Sequence, residues 1–110
     1  MNQETNKTSP IMGYFVAVGD ERTTLKKEKM VNVGRTGIFY EKEKLISTLE
    51  SNKMLKKTKM DIVEIKVDPC CIISPNCIKF GIKGGKQIPI TKVQPLTLAL
   101  RELKLMTVLN

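Results

Sequence analysis

A chain of 110 residues that is 41% hydrophobic, carries a net charge of +8 and contains no histidine suits one compact domain with one core and leaves no room for two. It excludes imidazole acid–base chemistry and every metal site built on histidine ligands. The longest apolar stretches, such as residues 14–18, are far too short to cross a bilayer, so no membrane partner is expected.

Residues 1–10 are polar and end at Pro10, which reads as a disordered tail ahead of a single domain over 11–110. The first thirty residues lack the basic start, apolar block and small-residue cleavage site of an export signal. Three cysteines make an odd set, and adjacent Cys70 and Cys71 are poorly placed to bridge each other, which argues for a reducing compartment. The expected location is the cytoplasm of a cell or of a virus's host.

Tyr14-Phe15-Val16-Ala17-Val18 is aromatic and β-branched and closes on Gly19-Asp20, the pattern of a buried strand and a turn. From Leu25 to Val33 the pattern is mixed, with Met30–Val33 a short strand ending at Gly34, and residues 37–40 form a third. Residues 41–57 read as the clearest helix. Leu45, Ile46 and Leu49 make an apolar stripe, Glu41 and Glu43 open the segment, and Lys53, Lys56 and Lys57 close it, matching the helix dipole at both ends.

Met60–Val67 alternates, with Val63, Ile65 and Val67 on one face against Asp61, Ile62, Glu64 and Lys66, and reads as a central strand stopped by Asp68-Pro69. Residues 77–82 and 86–90 read as two strands joined in a hairpin across Lys83-Gly84-Gly85, with Pro89 at an edge or a non-bonded position. Behind Pro95, Leu96, Ala99, Leu100, Leu103 and Met106 have helical spacing, while Leu96, Leu98 and Leu100 alternate like a strand; propensity favours a helix over 96–109. The fold class is therefore α+β: a mostly antiparallel sheet of four to six strands, one helix at about 41–57 and a possible C-terminal helix.

Gly34-Arg35-Thr36-Gly37-Ile38-Phe39-Tyr40 and the following Glu41–Leu45 resemble a turn found in small viral and bacterial domains of uncharacterised function. Those domains read approximately Gly-Ile-His-Phe-Phe, then polar residues, a short helix and a Val-Glu-Val type of strand, to which Ile62–Pro69 is similar. The resemblance spans residues 34–69 and implies a fold only. Phe39 stands where the histidine would be, which weakens any catalytic reading.

No catalytic motif is present. Gly81-Ile82-Lys83-Gly84-Gly85-Lys86 lacks the glycine spacing and the ending of a phosphate-binding loop. The thiols of Cys70, Cys71 and Cys77, flanked by Ile72 and Ile73, are expected to be buried and structural, since their spacing is wrong for zinc and no histidine completes a set. No metal, cofactor or catalytic residue is assigned, and the chain is not expected to be an enzyme.

Two binding readings follow. One is a small module for protein–protein interaction, such as a viral or mobile-element accessory protein acting on a host factor, with a homo-oligomer possible and with Ile72, Ile73, Leu98, Leu105 and Val108 as surplus apolar side chains. The other is a non-specific or single-strand nucleic-acid binder. Residues 21–60 carry 11 basic and 5 acidic side chains, and Lys26, Lys27, Lys29, Lys53, Lys56, Lys57 and Lys59 are the candidate phosphate contacts.

Overall fold

The computed structural model describes residues 9–31, 34–52, 59–83 and 87–109, with side chains in the last helix described as far as Lys104. Seven strands, β1 (Ile11–Val18), β2 (Met30–Val31), β3 (Ile38–Phe39), β4 (Met60–Val67), β5 (Ile72–Ile73), β6 (Lys79–Ile82) and β7 (Ile88–Pro95), form one antiparallel sheet in the order β2-β7-β4-β1-β3-β6-β5. Among the described residues three helices accompany it: α1 (Asp20–Glu28), α2 (Lys42–Ser51) and α3 (Leu96–Leu109). The class is α+β, with more strands and one more helix than the sequence pattern announces. The polar residues 1–8 and the side chains of Leu105, Met106 and Val108 lie outside the described residues. No helix among the described residues is long and apolar enough to cross a membrane.

β1 and β4 pair along their whole lengths, from Ile11 opposite Val67 to Val18 opposite Met60. Both are apolar on two faces because the sheet separates two cores. On the inner face Phe15, Ala17, Val63, Ile65 and Val67 meet Ile38, Phe80, Ile82 and Ile88. On the outer face Met60 and Ile62 of β4 lie under Leu45, Ile46 and Leu49 of α2 and Leu96 and Ala99 of α3. The inner packing is tight at Gly13, where a Cβ would fall 2.6 Å from Ile38 Cγ2 and 3.0 Å from Phe80 Cζ. Only a glycine lets β1 approach those side chains so closely.

The sheet also turns back on itself. Met30–Val31 bonds to β7 near one end. Three residues later the Gly34 N–H donates to the Ile82 carbonyl and the Ile82 N–H to the Arg35 carbonyl, each at 2.9 Å. Met30–Val31 and Gly34–Arg35 thus bond to strands from opposite halves of the sheet.

The strand order corrects the expected hairpin: β6 pairs with β3 and β5, whereas β7 pairs with β4 and β2. Gly84 and Gly85 lie outside the described residues, and the strands before and after them, β6 and β7, are not neighbours in the sheet. β7 is internal, with Pro89 opposite Met30, so its proline does not mark an edge. α1 is a further correction, occupying residues read as turn and mixed pattern. Leu25 is its only buried residue, too little for an apolar stripe. α2 ends at Ser51, and the rest of the expected 41–57 helix, residues 53–57, lies outside the described residues. α3 resolves the C-terminal ambiguity: Leu96 and Ala99 are buried, Leu100 and Leu103 pack beside them, and Leu98 is exposed.

Candidate functional site

α1 lies across one end of the inner core and is held there by charge as much as by Leu25. Asp61, on the inner face of β4 beside Val63, is fully buried with a side-chain exposure of 0%; the alternation had placed it with the polar residues of that strand. Its Oδ2 accepts from Arg22 Nε at 3.2 Å and meets Lys26 Nζ at 3.4 Å. Among the described residues its Oδ1 has no hydrogen-bond partner. A second clamp joins Glu21 of α1 to Arg35, whose guanidinium also donates to the Val16 carbonyl at 3.3 Å and lies 3.9 Å above the Phe15 ring. Each charge of the clamp is thus paired, as burial requires.

Beside this helix is a cleft of about 370 Å³, lined by Leu25, Lys26 and Lys29 of the α1 region and by Ile90, Thr91, Lys92 and Val93 of β7. Thr91 of its lining sits at an irregularity of the sheet. Glu64 faces Lys92 and Ile65 faces Ile90, leaving Thr91 as a bulge, and a bulge bends its strand and redirects the neighbouring side chains. Among the described residues three lysines and no carboxylate line the cleft. Lys29 ends α1 in a left-handed conformation at φ 59°, with its carbonyl accepting from the Ile90 N–H at 3.0 Å.

The sequence-derived lysines are divided by this geometry. Lys26 and Lys29 line the cleft, while Lys27 and Lys59 are exposed and do not. Lys53, Lys56 and Lys57 lie outside the described residues. Lys92 was missed because it stands alone in the sequence between Thr91 and Val93, and only strand pairing brings it to α1. No aromatic platform accompanies the lysines: Phe15, Phe39 and Phe80 are buried, and Tyr14 and Tyr40 are half-buried. Burial first, then the Glu64 and Glu43 carboxylates, raise the Tyr14 phenol above its ordinary pKa.

A second depression of about 300 Å³ is lined by Thr36, Gly37, Ser74, Asn76, Lys79, Phe80 and Gly81. Its Asn76 Oδ1 is already committed to the backbone N–H groups of Ile78 and Lys79, at 2.7 and 2.8 Å. The thiols are a correction. Cys70 and Cys77 are exposed and Cys71 is half-buried, because Pro69–Cys71 forms a 3-10 turn on the surface and β5 spans only two residues. Partial burial, the neighbouring Cys70 and Asp68 push the Cys71 thiol up, and Lys83 opposes them. No group of three cysteine or acidic residues able to hold a metal occurs among the described residues.

No family model, curated protein or solved structure matches the chain.

Proposed function

We propose that this protein is a small cytoplasmic binding module without catalysis of its own, and that its partner is rich in phosphate. One observation carries the reading: Lys26, Lys29 and Lys92 line one cleft beside the β7 bulge, and no carboxylate is among the described residues of its lining. Lysine ammonium groups act as point charges toward phosphate, whereas base recognition relies on planar arginine forks or stacked aromatic rings. With its aromatic rings at least half-buried, the chain is suited to the backbone of a nucleic acid and not to the order of its bases.

Fluorescence anisotropy with labelled duplex and single-stranded oligonucleotides across a salt series tests this. Each phosphate neutralised on a duplex contributes about −0.9 to the slope of log K against log salt. K29Q/K92Q removes two cations but spares Lys26, which also serves Asp61, so the slope becomes shallower by about 1.8. An unchanged slope, or no binding at low salt, refutes the reading.

A protein partner is the second reading, favoured by the short edge strand β5 with Ile73 exposed on it and Ile78 exposed nearby. A second copy of the chain seated there would make sedimentation concentration-dependent in the wild type and not in I73D.

A further inference from the structure

The cleft leaves one chemically distinct feature unused, the surface dithiol at the start of β5. Cys70 Sγ and Cys71 Sγ are 4.0 Å apart. Adjacent residues seldom aim their side chains together in extended backbone, where successive Cβ atoms alternate sides. Here the 3-10 turn over Pro69–Cys71 brings them round, and backbone bonds hold it on both flanks: the Cys71 N–H donates to the Asp68 carbonyl at 2.9 Å and the Lys83 N–H to the Cys71 carbonyl at 2.8 Å. The pair is therefore preset by the backbone, with Cys70 open to solvent.

We infer that Cys70 and Cys71 form a two-sulfur site for a soft monovalent metal ion, Cu(I). Metal–sulfur bonds of about 2.3 Å would span sulfurs 4.0 Å apart at an S–metal–S angle of roughly 120°. That angle leaves a third position on the solvent side for water or a small thiol. Structural zinc asks for four nitrogen or sulfur ligands, and no cluster of three candidate ligands exists among the described residues. Thiolates select Cu(I), which accepts low coordination numbers. On binding, each thiol releases its proton to solvent and two sulfur–copper bonds form with no change of oxidation state. The resulting complex carries one negative charge, which Lys83 offsets and Asp68 opposes, both lying within electrostatic range of Cys71.

The test is anaerobic titration of the reduced full chain with Cu(I) held by a chromogenic chelator, alongside C70S, C71S and C77S. Circular dichroism verifies that each variant keeps the wild-type spectrum. The expected result is one equivalent of copper withdrawn by the wild type and C77S, with at least a tenfold loss of affinity in C70S and in C71S. Phenylarsine oxide, which needs two neighbouring thiols, reads the geometry independently and should protect two thiols per chain. Equal copper affinity across the three variants, dependence on Cys77, or arsenical binding without copper capture each overturns the assignment.

Discussion

Removing both cations from Asp61 isolates a carboxylate that has no exposure to water, and the structure fixes what should follow. Arg22 and Lys26 share one oxygen, with side chains 27% and 53% exposed. R22A alone or K26A alone leaves the other cation in place, and each should cost about 1 kcal/mol, the scale of a partly exposed pair. R22A/K26A leaves the buried charge unpaired, a situation that costs about 3–5 kcal/mol. The double variant should thus lose at least about 1 kcal/mol more than the two single losses added together. Adding D61N removes the charge but keeps the shape, so the triple variant should regain about 2 kcal/mol over the double. Urea unfolding followed by far-UV circular dichroism, with the slopes compared to verify two-state behaviour, measures all five proteins. A double variant no worse than the sum of its parts, or a triple variant no more stable than the double, refutes the view that α1 is anchored by a buried carboxylate.

Three further outcomes are expected. G13A forces a methyl group against Ile38 and Phe80 and should cost about 1–3 kcal/mol by the same urea assay, as overpacking does. L25A removes the single buried apolar side chain of α1; the loss should be about 2–5 kcal/mol, and it should lower the amide protection of α1 against hydrogen exchange. Tyr14 ionises above its ordinary value because of burial, Glu64 and Glu43. In Y40F, where it is the sole tyrosine, ultraviolet titration should place its midpoint above about 10, and E64Q should bring it down. The raised value also means that the unfolded chain loses this proton first. The contribution of Tyr14 to stability is thus intact below about pH 10 and lost as pH rises through the folded-state value, a slope absent in Y14F.

The strands with strong alternation or continuous apolar runs, β1 and β4, were legible in the sequence because burial on both sides leaves little room for polar residues. α2 was legible through Leu45, Ile46 and Leu49. α1 was not, since charge pairing does for it what an apolar stripe does for α2, and pairing partners 14 and 39 residues away leave no local pattern. The misplaced hairpin has a similar origin: glycines permit a turn, but which strands meet is decided by the inner core. The cysteines were misjudged because neighbouring isoleucines suggested burial, whereas Ile73 itself is exposed on a two-residue edge strand. Of the candidate cleft, Lys26 and Lys29 were visible as part of a basic run. Lys92 is brought there by strand pairing, which no local pattern encodes.

The bonds made by Met30–Val31 and Gly34–Arg35 have a consequence for how the chain comes off the ribosome. Their bonding partners, Ile82 of β6 and Ile88–Pro89 of β7, are translated 47 residues or more after them. A nascent chain that has emerged as far as Val67 already holds both members of the β1–β4 pair, yet the inner face of that ribbon has only Leu25, Val31 and Ile38 to cover it until Phe80, Ile82 and Ile88 of the last third are made. Such late, long-range closure slows maturation and extends the interval in which chaperones or neighbouring nascent chains meet the part of the inner core that Phe80, Ile82 and Ile88 later cover.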